Sequence, residues 1–359
     1  MMNPMLTKRI AHVQSRLTEW DVQGVLFFNM SNIRYLTGFT GGEGVLVLDE
    51  REALLLVDGR YTTQARDEFA SGRIIEYRDR NEGLSRVVSE LHLNTVGFES
   101  SHLSFDSYCA LRDRIPGTVL KPLSDTFESL RACKDPDEID CLKKAARIAA
   151  DALTSVLEKM MPGMIERDIA FALETEMRNR GSEKPSFDTI VASGGNAAKP
   201  HAEPGYRAVA EGESIVIDYG ATFRGYHSDE TCTVALGHVP EELRTIYDIV
   251  KEAHGRAIDA VRPGVACTEI DRIARSYIEA KGLGHRFSHG TGHGVGLDVH
   301  EYPRISPLGK GLLQEGMVIT VEPGIYIPEL LGVRIEDTVL VGRDGCEIVT
   351  RMPKDLTVL

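Results

Sequence analysis

The sequence predicts an α+β chain of two domains, the second duplicated within itself. Three observations carry that prediction. Short β-like runs alternate with helical patterns in the first third, the character changes near residues 131–138, and an internal repeat lies beyond. A chain of 359 residues also exceeds the roughly 100 to 200 that one domain usually holds.

In the first third, GVLFF at 24–28, GVLVL at 44–48 and ALLLV at 53–57 are apolar runs bounded by turn residues and read as strands. Helical patterns fall at about residues 5–20, expected to face solvent, and 60–70. The region is therefore a mixed α/β domain, assigned to residues 1–131. RACKDPDE at 131–138 then offers Asp135 as an N-cap, Pro136 at the first helical position and acidic residues in the first turn. A second domain, 132–359, is expected from there.

Residues 162–181, PGMIERDIAFALETEMRNRG, align without a gap with 263–282, PGVACTEIDRIARSYIEAKG. Pro162 and Gly163 match Pro263 and Gly264, Ile169 matches Ile270, and Gly181 matches Gly282, where a helix would close in a left-handed cap. Each half continues alike: EGESIVIDYG at 211–220 and SDETCTV at 228–234, against EGMVITVEPG at 315–324 and RIEDTVLV at 334–341. Two helix-plus-hairpin units about a pseudo-twofold axis are expected, with a site where they meet.

Composition narrows the function. The net charge of −13, without a basic stripe, opposes binding to a phosphate backbone, so no nucleic-acid partner is expected. Six scattered cysteines give neither a disulfide framework nor zinc-knuckle spacing and read as reduced thiols of a cytoplasmic protein. The first twenty residues lack the apolar core of a signal peptide. No apolar run approaches the ~20 residues of a membrane span, and no membrane association is expected.

The chemistry concentrates in the duplicated region. The run Ile215–Ile217 delivers Asp218, with Asp229 eleven residues on; Val318–Val321 delivers Glu322, with Glu336 fourteen residues on. By the repeat, Asp218 corresponds to Glu322 and Asp229 to Glu336. Four carboxylates brought together away from water repel unless protonated or neutralised by cations, and two divalent ions would cancel their charge. SHGTGHGVGLDVHE at 288–301 adds His289, His293 and His300 in a glycine-rich loop. One imidazole with four carboxylates is a hard ligand set suited to Mn²⁺, Co²⁺ or Zn²⁺, so a two-metal centre is expected.

These motifs, IVIDYG, SDETCTV, HGTGHGVGLDVHE, VEPGIY and VRIEDTV in that order, resemble the pita-bread metallopeptidase family M24, which includes methionine aminopeptidase, aminopeptidase P and prolidase. SNIRYLTGFTG at 31–41 and LLLVDGRYTTQA at 54–65 resemble the non-catalytic domain of its proline-specific branch. The resemblance implies a creatinase-type, ribonuclease H-like N-terminal domain before a pita-bread catalytic domain. It implies metal ligation by Asp218 at one ion, His293 and Glu322 at the other, and bridging by Asp229 and Glu336. Glu322 is implied as general base, His201 and His300 as substrate-binding and oxyanion-stabilising groups, and His289 as a further pocket histidine. Arg334 is implied to support the site, and Arg304 to hold a substrate's free carboxylate.

The implied activity is hydrolysis of Xaa-Pro peptide bonds by hydroxide from a bridging water whose pKa falls to about 7 between two metal ions. A small peptide with proline second is the implied substrate. Manganese is the first choice of metal, with cobalt or zinc as alternatives, and a homodimer is implied. Dipeptidase is favoured over aminopeptidase P through Arg304. A non-catalytic binding module and metal-free creatinase-type hydrolysis are the other readings; the complete ligand set argues against both.

Overall fold

The computed structural model describes residues 4–123 and 127–359, which separate into two compact units, Met1–Phe127 and Glu128–Leu359. In the first unit, six strands form one sheet. Gly24–Phe27 lies at its middle, antiparallel to Val45–Asp49 and parallel to Thr95–Phe98. The three apolar runs read from the sequence are Gly24–Phe27, Val45–Asp49 and Ala53–Asp58, almost wholly buried because helices cover the sheet. Buried Glu99 ties this unit together: its carboxylate accepts from the amides of Phe28 and Asn29, both at 2.6 Å, and from Asn32 Nδ2 at 2.5 Å.

The first helix departs from expectation. It spans Pro4–Arg16 and faces solvent on one side only: Ile10 and Val13 are buried, and Gln14 Nε2 donates to Asp49 O at 2.9 Å. Its end comes early because the chain winds into turns up to Asp21, at φ +53°. No helix among the described residues is long and apolar enough to cross a membrane, and all six cysteines are free.

The second unit opens with the helix Pro136–Leu157. Asp135 accepts from Glu138 N, and the Glu138 side chain returns to Asp135 N, a complete capping box. The repeat is visible in the backbone. Helices Glu166–Asn179 and Cys267–Ala280 end alike: Gly181 and Gly282 take φ of +100° and +79°, and the next residue's amide reaches back to Met177 O and Ile278 O respectively.

Each unit of the repeat holds two helices rather than one. Pro136–Leu157 and Glu166–Asn179 pack on one core with Ile215, Ile217 and Val234; Glu241–Ala260 and Cys267–Ala280 pack on another with Ile319, Val321 and Val339. In the first, Ser214–Tyr219 pairs antiparallel with Glu230–Ala235. In the second, Val318–Val321 pairs antiparallel with Asp337–Val341. The two halves join through Thr231 and Thr233: Glu336 N donates to Thr231 O at 3.2 Å, and Thr233 Oγ1 donates to Arg334 O at 2.8 Å.

One close approach sets a wall of the site. Gly332 lies in the strand Leu331–Arg334 so near the 194–201 loop that a Cβ there would sit 1.8 Å from Ala197 O. Only glycine lets the two backbones touch.

Candidate metal centre

The ends of the paired strands gather the carboxylates. Asp229 immediately precedes the strand Glu230–Ala235 and Glu336 immediately precedes Asp337–Val341, so the repeat leaves both at the junction of its halves. Their oxygens and His293 lie within 4.8 Å of one another. His293 sits on the strand Gly292–Gly294, its Nε2 3.6 Å from Asp229 Oδ2 and 3.5 Å from Glu322 Oε1. Glu322 follows Val318–Val321, and Thr320 Oγ1 lies 3.5 Å from its Oε1.

Asp218 enters from the strand Ser214–Tyr219. Its Oδ2 accepts from Arg334 Nη2 at 2.6 Å, while its buried Oδ1 has no hydrogen-bond partner. Glu336 Oε2 accepts from Thr231 Oγ1 at 2.7 Å.

Electrostatics test whether this donor set fits divalent ions. Burial drives the Asp229 and Glu336 carboxyls well above the ordinary range, and the neighbouring carboxylates push further the same way. Glu322 is pushed up to about 7, chiefly by burial, with Arg334 opposing and Asp218 adding. Burial, then His300, lowers His293 to about 3, so its imidazole is neutral. His293 Nδ1 lies 3.0 Å from Gly294 O, which can only accept; Nδ1 therefore carries the hydrogen, and the bare Nε2 lone pair faces carboxylate oxygens. Lone pair against lone pair is repulsive in a dry site and favourable around a cation. The backbone bond also fixes the tautomer that metal ligation needs. The residues fit divalent metal.

Beside them runs a second chain of polar groups. Arg334, 3% exposed, donates from Nη1 to the Tyr326 hydroxyl at 2.8 Å and from Nε to Thr231 Oγ1 at 3.1 Å. Nη1 also reaches Pro200 O at 3.1 Å, which holds the residue next to His201. The Tyr326 hydroxyl lies 2.9 Å from His289 Nε2, and burial lowers His289 to about 4. His289 Nδ1 faces Gly290 O at 2.8 Å, so Nε2 accepts and Tyr326 donates.

His300 stacks edge-on against His293, ring centroids 4.2 Å apart, and is exposed, as is His201. Arg304 is exposed on Glu301–Ile305 and pairs directly across from His293, which puts both side chains on one face of the sheet. Sequence reading had not singled out Tyr326 or Thr231. Tyr326 stood within the quoted VEPGIY, and Thr231 matches Thr338 in the repeat, so the alignment held a trace of each.

Comparison with known proteins gives this geometry its family. Residues 140–343 match the model of metallopeptidase family M24, and residues 9–133 match the creatinase/prolidase N-terminal domain. The chain belongs to metallopeptidase family M24. Its fold is accordingly the pita-bread catalytic domain, preceded in the chain by a creatinase-type N-terminal domain, and it is a metallo-exopeptidase dependent on divalent metal ions. An Xaa-Pro dipeptidase of Pyrococcus furiosus is 37% identical over 98% of this chain and 100% of its own. The structure of an Xaa-Pro dipeptidase from Bacillus anthracis superposes with TM-score 0.95 at 37% identity, covering 99% of this chain and 100% of that one. An X-Pro aminopeptidase from Thermotoga maritima gives TM-score 0.88 at 35% identity, covering 96% and 100%.

Proposed function

We propose that this M24 metallopeptidase is an Xaa-Pro dipeptidase holding two divalent ions, manganese first among them, through Asp218, Asp229, His293, Glu322 and Glu336. The observation that carries the reading is the neutral His293 lone pair turned toward carboxylates whose own protonation is forced up by burial and by each other. The full-length likeness to Xaa-Pro dipeptidases supports the substrate class.

Bound divalent ions supply Lewis-acid polarisation of the scissile carbonyl and an acidified water. The chain's residues do the rest. Glu322 accepts a proton at its carboxylate and returns it to the departing proline nitrogen. His201 and His300, on the open side, donate to the carbonyl oxygen as negative charge develops there. Arg334 fixes Asp218, and through Pro200 O the backbone that carries His201. Tyr326 holds His289 as one wall of the pocket. Proline lacks an amide hydrogen and has a fixed φ, so the pocket receives a ring rather than a hydrogen-bonding strand.

Arg304, on the His293 face of its sheet, is placed to take a dipeptide's free carboxylate in a bidentate grip. Its exposure is also what favours the second reading, an aminopeptidase P that admits residues after proline. We place the enzyme in the cytoplasm, as a homodimer; light scattering at twice the chain mass checks the latter.

Turnover of Ala-Pro and Ala-Pro-Ala after chelation, and after return of each metal, tests the proposal. The expected outcome is loss on chelation, recovery with Mn²⁺ and preference for Ala-Pro. Equal or faster cleavage of Ala-Pro-Ala would give the aminopeptidase reading precedence. Full activity without metal would overturn both.

A further inference from the structure

Directly behind the metal-binding carboxylates lies a second buried acidic pair with no part in the chemistry above. Glu230 follows Asp229, and Asp337 follows Glu336; successive strand residues point to opposite faces, so each sits back to back with its neighbour. Glu230 and Asp337 are 1% and 2% exposed. The two strand starts abut: Thr338 Oγ1 donates to Asp229 O at 2.7 Å, and Glu336 N to Thr231 O at 3.2 Å.

One segment, Thr350–Leu359, serves both hidden carboxylates. Lys354 Nζ lies 2.6 Å from Glu230 Oε1 and 3.3 Å from Asp337 Oδ1, with only 14% of its side chain exposed. Met352 N donates to Glu230 Oε1 at 3.0 Å, and Thr350 Oγ1 to Asp337 Oδ1 at 2.5 Å. Thr357–Val358 then joins the sheet parallel to Glu230–Ala235, which anchors the segment. Tyr219 on Glu230 and His254 on Asp337 each serve one carboxylate. Among the described residues Lys354 alone bridges the two.

We propose that Lys354, carried by this strap, is a positioning residue that sets the spacing of Asp229 and Glu336 and so the affinity of the metal pair. Two buried carboxylates without a shared ammonium repel, and each is one peptide bond from a metal-binding side chain. The strap converts that repulsion into attraction and draws the two halves of the repeat together at the site. The inference rests on the ligand assignment above.

The test uses the full chain, stripped by chelation and titrated with Mn²⁺ alone. Binding is followed by calorimetry and by the electron paramagnetic resonance signal of coupled manganese, beside circular dichroism and Ala-Pro kinetics. Lys354→Met is expected to keep the fold, to bind Mn²⁺ at least about tenfold more weakly, to lose the coupled-pair signal and to lower kcat with KM little changed. Lys354→Arg is expected to recover most of the affinity. A folded Lys354→Met chain that binds Mn²⁺ as tightly as wild type would overturn the proposal and leave the strap a stability element. If Lys354→Met does not fold, Lys354→Gln, which can hydrogen-bond a carboxylate but lacks the shared charge, decides: an affinity loss of about tenfold supports the spacing role, and unchanged affinity refutes it. A wild-type chain that takes up no Mn²⁺ would instead sink the underlying metal assignment.

Discussion

Protonation governs the site at the level of single residues. Asp229 and Glu336 are buried beside each other and beside neutral His293, an arrangement stable only when a proton or a cation lies among them. Asp229→Ala or Glu336→Ala is expected to cut turnover by more than the about 100-fold that losing a supporting group costs, with the circular dichroism spectrum preserved. Near-normal rates in either variant would remove the bridging role. Arg334→Lys keeps the charge but cannot reach Asp218, Tyr326, Thr231 and Pro200 O at once, because an ammonium lacks the planar fork. Its kcat on Ala-Pro should fall by about ten- to a hundredfold, and a fall below twofold would count against its supporting role. The carboxylates were legible in the sequence because duplication repeats them at matching positions. Lys354 was not: its partner Glu230 lies at a distant point of the chain, and it does not sit at a position the repeat duplicates.

At the element scale, what matters is how close two backbones come. The strand Leu331–Arg334 lies against the loop that ends in His201, and Gly332 permits the approach to Ala197. Gly332→Ala is expected to destabilise the protein by about 1–3 kcal/mol and to lower kcat/KM on Ala-Pro, since the loop must withdraw and take His201 with it. A thermal melt and kinetics check both effects; an unchanged melting temperature would mean the loop yields freely. Helix ends were readable in advance, because Asp135 and the glycines at 181 and 282 report a local backbone need. The repeat alignment did not extend to Pro136–Leu157 and Glu241–Ala260, because these two helices share an amphipathic period rather than residues. The packed side of the first helix was not legible because only Ile10 and Val13 mark it.

At the scale of the whole molecule, stability and metal loading are coupled. In the chelated chain Asp229 and Glu336 hold protons well above the range in which an unfolded carboxyl releases them, and Glu322 does so up to about 7. Between pH 6.5 and about pH 8 the folded form therefore binds more protons than the unfolded one, so stability falls as pH rises. His289 and His293, lowered to about 4 and 3 from 6.5, act in the opposite sense, an effect that fades above 6.5 as unfolded imidazoles lose their protons. Calorimetric melts of the chelated chain should decline across that window, and saturating Mn²⁺ should abolish the decline. A flat profile without metal would contradict the buried, mutually repelling carboxylates. The most direct measurement is an anomalous difference map at the manganese edge from crystals grown with Mn²⁺. Two peaks about 3.5–4 Å apart are expected, both touching Asp229 and Glu336, with His293 and Glu322 on one and Asp218 on the other. A single peak, or none among these five side chains, would contradict the two-metal centre.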